Sequence, residues 1–257
     1  MHLERMTSPD IAAAIRGGST TVVMACGAVE QHGPHLPLFM DAEHGTRLAE
    51  EVAQRLGDAL VAPTLRIGCS DHHMAFAGTL TLREETFEAV VRDCCTSLAS
   101  HGFRRILILP THGGNFAPLR RMLAGLRASV GGDCAIDAFT DLHGVMRVWR
   151  DEIERIASLG DRVGGHADVA ETSIMAALHP ELIVENRAQA GFEGELTDDI
   201  LRTLFEHGIH AIAPNGILGD ARGFSPALGE RCIAVLADAV AEHFEGALRA
   251  DATGVTE

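Results

Sequence analysis

The run Phe103-Arg104-Arg105-Ile106-Leu107-Ile108-Leu109-Pro110 limits this chain more than any other stretch. Its apolar residues are continuous rather than alternating, which suits a strand covered on both faces and so a parallel sheet between helices. A second such run, Thr21-Val22-Val23-Met24-Ala25-Cys26, lies upstream, with shorter strand-like pieces over residues 60–63 and 134–140. Helical patterns stand between them. Over residues 41–56, apolar Leu48, Val52 and Leu56 recur four apart, an amphipathic spacing. Thr81 followed by Glu84 reads as a capping box opening a helix to about Ser100, and Asn115 reads as a cap for the next helix. Further helices are predicted over residues 145–156 and 226–248. Strand–helix alternation predicts an α/β fold with a mostly parallel sheet, as one domain over residues 1–257, its site beyond the carboxyl ends of the strands.

Charge narrows the partners. The formal net charge is −15, and every fixed cation is an arginine because the chain has no lysine. Nucleic acid and anionic membranes select basic surfaces, so neither is an expected partner. No stretch approaches the length needed to span a bilayer, and the N-terminus lacks the basic-then-apolar plan of a signal peptide. The six cysteines show no C-x-x-C spacing, which makes a reducing cytoplasm the expected setting.

The chemistry concentrates just after the strands. Following Cys26 comes Gly27-Ala28-Val29-Glu30-Gln31-His32-Gly33-Pro34-His35-Leu36-Pro37-Leu38-Phe39-Met40-Asp41. Glu30 and His32 are two apart, so on an extended backbone both side chains leave one face. Glycine and two prolines then turn the chain and bring Asp41 to a helix N-terminus. Carboxylate, imidazole and carboxylate together suit a divalent cation; the alternative is a polar loop with Asp41 as an ordinary N-cap. The strong strand delivers Thr111-His112-Gly113-Gly114-Asn115, where glycines let the backbone approach whatever His112 binds. Gly68–Thr79 carries His72-His73, and adjacent histidines point different ways on most backbones, so one at most is expected to face a given site; a solvated loop is the alternative. Gly164-Gly165-His166-Ala167-Asp168-Val169-Ala170-Glu171 opens another helix, with Glu171 about one turn in, where an acidic side chain also complements the helix dipole.

Glu30-Gln31-His32-Gly33-Pro34-His35-Leu36-Pro37 with Asp41, His112-Gly113-Gly114-Asn115, and His166 with Glu171-Thr172-Ser173 resemble the creatininase family of metal-dependent amidohydrolases. Phe76-Ala77-Gly78-Thr79 and Asn215-Gly216-Ile217-Leu218-Gly219-Asp220 resemble two further blocks of that family. The resemblance implies a three-layer α/β/α sandwich, one or two divalent ions (zinc, manganese or iron), a small-molecule substrate and a homohexamer. It assigns metal binding to Glu30, His32, Asp41 and His112, with Asp41 able to bridge two ions. Creatininases proper carry a metal-binding glutamate two residues after the strand-end histidine, where this chain has Gly114. Glu171 is the candidate for the missing carboxylate. The expected reaction is cleavage of a C–N amide-type bond by a metal-activated water, with His166 transferring a proton to the leaving nitrogen and His73 lining the pocket. Two other readings stay open: a lactone or sugar-ring hydrolase on the same centre, and a non-catalytic member with a structural metal.

Overall fold

The strands pair as expected, and their order decides where a site can form. In the computed structural model, which describes residues 1–131 and 133–253, β1 (Thr21–Cys26), β2 (Ala59–Val61), β3 (Arg105–Pro110) and β4 (Ala135–Ala138) make one parallel sheet in the order β2-β1-β3-β4. After β1 the chain adds β2 on one side and then returns to add β3 on the other. The direction of winding therefore reverses between β1 and β3, which opens a crevice beyond their carboxyl ends. Register brings Cys26 opposite Pro110, and Thr111 N–H donates to the Cys26 carbonyl at 3.0 Å. The segments that follow the two strands, carrying Glu30 and His32 in one and His112 in the other, thus leave the sheet side by side.

Alternation along each strand feeds two cores. Val23, Ala25, Leu107 and Leu109 face α2 (Met40–Leu56), α5 (Leu142–Ala157), α6 (Val169–Leu178) and α8 (Pro226–Thr253). Val22, Met24, Cys26, Ile106 and Ile108 face α3 (Glu84–Ser100) and α4 (Gly113–Val130), with α1 (Ser8–Arg16) packed at the margin. These are the layers of an α/β/α sandwich. The amphipathic spacing in α2 does what it predicts: Leu48 and Val52 are buried against the sheet. Gly27 makes the tight exit from β1 possible, because a Cβ there would stand 2.7 Å from the Cα of Ala42. A separate antiparallel pair, β5 (Val163–His166) with β6 (Leu218–Gly219), and α7 (Asp198–His207) form the far wall of the site.

Two local expectations fail for a shared reason, that the polar side chain serves a tertiary contact instead of its own helix. Thr81 does not cap α3, which starts at Glu84 after Arg83; its hydroxyl accepts from Ser70 N–H at 2.9 Å. Asn115 lies inside the first turn of α4, and His112 occupies the N-cap. The fully buried Asn115 amide donates to the carbonyls of Cys26 and Gly27 and accepts from Cys69 N–H, at 3.0–3.1 Å. It ties three loops together at the sheet end. Asn115→Ala strands those groups in the interior, where each unmatched one costs roughly 1–3 kcal/mol. Urea unfolding should show a loss of at least about 2 kcal/mol, and a near-neutral result would mean that the loops hold without this amide.

Candidate metal centre

Five side chains expected to cluster do so. Glu30, His32, Asp41, His112 and Glu171 are all buried, from 0 to 5% exposed. His112 Nδ1 lies 3.1 Å from Glu30 Oε1 and 3.3 Å from Asp41 Oδ2. His32 Nε2 lies 3.3 Å from Asp41 Oδ1 and 3.7 Å from Glu171 Oε2. The result is two ligand-like triads that share one carboxylate: Glu30, Asp41 and His112, then His32, Asp41 and Glu171, each with its donor atoms within 4.8 Å of one another. The outer nitrogen of each histidine is anchored. His32 Nδ1 pairs with the Glu30 carbonyl at 3.1 Å, and His112 Nε2 with the Cys69 carbonyl at 2.9 Å. Such anchors fix the tautomer and aim the other nitrogen inward.

Glu30 Oε1 and Oε2, His32 Nε2 and Asp41 Oδ2 have no hydrogen-bond partner although all are buried. Buried polar atoms are ordinarily paired, and a cation among these four orphans would match them. Nitrogen and carboxylate donors in this mixture fit zinc, manganese or iron. With protein groups alone, the charges lean on protons. Burial opposes charge on His32, but Asp41, Glu171 and Glu30 outweigh it and push its pKa up to about 10. Burial also resists ionisation of Asp41, yet His32 and His112 hold it well below the usual carboxylate range. Glu171 goes the other way, pushed up to about 8 chiefly by burial.

His166 and His73 sit beside the cluster, held by a residue that sequence reading passed over. Gln31 Nε2 lies 2.9 Å from His73 Nδ1, 2.9 Å from His166 Nε2 and 3.1 Å from the Gly216 carbonyl. His166 Nε2 is also 2.9 Å from the Gln31 carbonyl. One assignment satisfies these groups: His166 Nε2–H donates to the Gln31 carbonyl, and the amide protons go to His73 Nδ1 and Gly216. His73 then carries its proton on Nε2, 3.4 Å from Glu30 Oε2. His166 presents Nδ1 as a lone pair, 3.8 Å from Glu30 Oε1 and 3.9 Å from Glu171 Oε2. Burial, with His32 nearby, pushes the His166 pKa well below its ordinary value, so the ring is neutral. His166 also falls within ligand reach of Glu30 and His32.

The expectation that only one of His72 and His73 would face the site is corrected. Both are buried, because Asp71–His73 form a 3-10 turn with the site on one side and the α7 region on the other. The His72 ring stacks on His112 at 5.6 Å and 15°, and it also meets His73 at 4.2 Å and Phe205 at 5.0 Å. The 164–171 segment holds another overlooked residue, Asp168. Its carboxylate accepts from the N–H groups of Gly164, Gly165, Ala170 and Glu171. Ala167, left-handed at φ 53°, turns the chain and donates its N–H to Glu171 Oε2. The signal was available: Asp168-Val169-Ala170-Glu171 has capping-box spacing.

Gly114 leaves no room for a side chain. A Cβ there would fall inside contact distance of the Cys69 carbonyl, 2.5 Å from His112 Nε2 and 2.9 Å from His72 Cε1. The space a glutamate would need is filled by the Cys69–Ser70 backbone and by His72. The cluster opens into a cavity of about 710 Å³. His143, Arg147 and Arg150 on α5 line it, as do Glu193 and Glu195 from the segment before α7.

A parallel α/β/α sandwich with a buried polar cluster at its switch point, opening into a substrate-sized cavity, is the architecture of a class that comparison with known proteins identifies as amidohydrolases. The chain belongs to the creatininase family: the family model described as creatinine amidohydrolase matches residues 4–244. It is 31% identical over 229 residues to the mycofactocin precursor peptide peptidase of Mycobacterium tuberculosis, covering 86% of this chain and 82% of that protein. It is 26% identical over 261 residues to the creatinine amidohydrolase of Pseudomonas putida, covering 93% and 95%. A solved manganese creatininase superposes with TM-score 0.72 at 26% identity, covering 95% of this chain and 98% of that one. A creatininase mutant of Zn–Zn type gives 0.75 at 25%, with the same coverage.

Two outcomes are expected of the metal-free protein. Glu171 keeps its proton in the fold up to about pH 8, whereas the unfolded chain loses it near the ordinary 4.5. The folded state therefore binds more protons between those values, and stability falls as pH rises through that window. His32, raised from 6.5 to about 10, adds a loss in the same direction at higher pH. In EDTA, the urea midpoint should drop from pH 5 to pH 8, and Glu171→Gln should flatten the drop; an unchanged slope would show that this carboxyl is not the group titrating. Separately, Gly114→Glu should disrupt His112 and lower divalent-ion affinity, as isothermal titration would show, rather than supply an extra ligand.

Proposed function

We propose that the chain, acting as a single domain, is a metal-dependent amidohydrolase that cleaves a C–N amide-type bond of a small substrate, or of a peptide end, held in the 710 Å³ cavity. The observation that carries this reading is the convergence of buried, unpartnered donor atoms from Glu30, His32 and Asp41 beside His112 and Glu171. Glu30, Asp41 and His112 would hold one divalent ion, and His32, Asp41 and Glu171 a second, with Asp41 serving both. An ion bound there polarises a carbonyl oxygen and acidifies water. The cavity volume falls within the roughly 300–1,000 Å³ typical of small-molecule sites, and the names of both relatives describe cleavage of amide-type bonds.

The protein's own groups supply the proton traffic and the positioning. His166 is neutral and turns its Nδ1 lone pair toward the carboxylates. At that atom it can take up a proton and pass it to the leaving nitrogen. Its position is fixed by the hydrogen bond from Nε2 to the Gln31 carbonyl. His73 directs Nε2–H at Glu30 Oε2 and so orients that carboxylate. His35 Nε2 meets the Thr172 hydroxyl at 2.8 Å, which ties the loop carrying Glu30 and His32 to the helix carrying Glu171. Leucine and valine side chains around the cavity, among them Leu142, Leu204 and Val163, limit water around the reacting bond.

Elemental analysis should find one or two divalent ions per chain, zinc, manganese or iron. Asp41→Asn should remove one ion more readily than the other, because a neutral amide bridges two cations poorly. A wild type that binds no metal, even after reconstitution, would end this reading. His166→Ala should retain its metal and lose kcat by about 10²–10⁴-fold, the usual size of a lost acid–base group. Loss of metal from that variant would make His166 a ligand instead. Turnover of lactones without turnover of amides would move the scissile bond from C–N to C–O, and metal without any turnover would leave it structural.

A further inference from the structure

Behind the cluster, on the side away from the large cavity, lies a histidine that the proposed reaction does not use. His44 is one turn after Asp41 on α2, 1% exposed, and neither ring nitrogen has a hydrogen-bond partner. A neutral imidazole has one N–H to donate and one lone pair to fill, and each left unmatched in the interior costs roughly 1–3 kcal/mol. The ring packs 5.5 Å from Trp149, but that indole cannot help, since its Nε1–H already donates to the Cys232 carbonyl at 3.2 Å. What His44 does face is a second, small cavity of about 30 Å³, otherwise lined mainly by Phe116, Val145, Leu236 and Trp149. Its polar members are Thr111, whose hydroxyl proton goes to the Asp41 carbonyl, and Glu171. Glu171 is the one titratable side chain that lines both this cavity and the large one. Gly113, Leu142, Met146 and Gly165 also line both. Glu171 Oε2 accepts from Ala167 N–H, whereas Oε1 has no partner among the described residues.

We propose that the small cavity is a built water site and that His44 is a positioning residue for Glu171. One water accepts the ring N–H of His44 and donates to Glu171 Oε1. The volume exceeds the roughly 10–15 Å³ that a single water requires, and the site offers the two to four polar partners a buried water needs. An apolar cavity of this size would stay dry; the orphaned imidazole and the carboxylate make it polar. The bridge fixes the rotamer of the one carboxylate in the cluster that comes from α6. It also gives the ionised form of Glu171 a hydrogen bond, which favours that form. Its consequence for metal binding rests on Glu171 being a ligand, as proposed above; the water site itself does not.

A crystal structure at high resolution should show one ordered water within about 3.2 Å of a His44 nitrogen and of Glu171 Oε1. His44→Phe removes both nitrogens and fills the space, and His44→Gln keeps a donor. Titration with Mn²⁺ should show the site that contains Glu171 weakened about 10–100-fold in His44→Phe, the size usual for a lost partner of a metal ligand. The other site should stay near wild type, and His44→Gln should recover most of the loss. Thermal unfolding of metal-free His44→Phe should stay near wild type, because the phenyl ring fills the space and the ring nitrogens leave together with the water they order, so weaker binding would not reflect misfolding. A dry cavity, or His44→Phe binding Mn²⁺ with wild-type affinity at both sites, overturns the proposal. If the wild type binds no ion while the bridging water is present, the metal reading fails and the water site stands. If Glu171→Gln loses an ion while the cavity is dry, the reverse holds.

Discussion

Asp41 sits between two histidines with almost no water to help it. One carboxylate oxygen faces His32 and the other faces His112, each at 3.3 Å. With Glu30 and Glu171 added, three carboxylates share one buried space. Buried charges of one sign are strongly unfavourable unless opposite charge is placed among them. In the protein alone, protons on His32, His112 and Glu171 provide the balance. The tension suits the cluster to a cation, since groups that carry protons when buried together can exchange them for a metal.

The scaffold makes this arrangement affordable in geometry. Five ligand-like side chains come from four places in the sequence: the loop after β1, the start of α2, the end of β3 and the start of α6. The first three meet because winding reverses between β1 and β3, and Asn115 fastens their backbone ends. The fourth is brought in by Asp168, whose carboxylate collects four backbone N–H groups, and by the His35–Thr172 contact. Gln31 completes the frame, its side-chain amide setting the proton of His73 and its backbone carbonyl that of His166. Asn115, Asp168 and Gln31 thus act on the backbone and side chains around the cluster.

Gly114 and Glu171 show how one position can change without losing the site. In creatininases proper a glutamate two residues beyond the strand-end histidine supplies a carboxylate. Here that path is blocked by the Cys69 carbonyl and His72, and a carboxylate arrives from α6 instead. His72 is thus part of the same change, packed flat on His112 in the space the glutamate side chain would cross. The Glu171 side chain lines both the large cavity and the small one beside His44.

Much of this was legible in the residues. Continuous apolar runs dictated buried parallel strands, because only strands covered on both faces can afford no polar alternation. The family motifs marked Glu30, His32, Asp41 and His112, since ligands close in sequence leave a pattern of types and spacings. Glu171 was legible as a candidate only, for its helix-dipole role and its place in the cluster look the same in sequence, and the fold shows it facing His32 while also accepting from Ala167 N–H. Thr81 and Asn115 were misread as helix caps because a cap signal is local and their partners, Ser70, Cys26, Gly27 and Cys69, are not. His72 was set aside for the same reason, since the 3-10 turn that buries both histidines is imposed by the packing around it. The sequence alone therefore determined the class of fold and the chemistry of the donors, which depend on residue type and spacing. Only the tertiary structure decided which donors share Asp41, how Gln31 sets the protons of His73 and His166, and that His44 lies unpartnered behind Glu171, because those depend on distances between segments far apart in the chain.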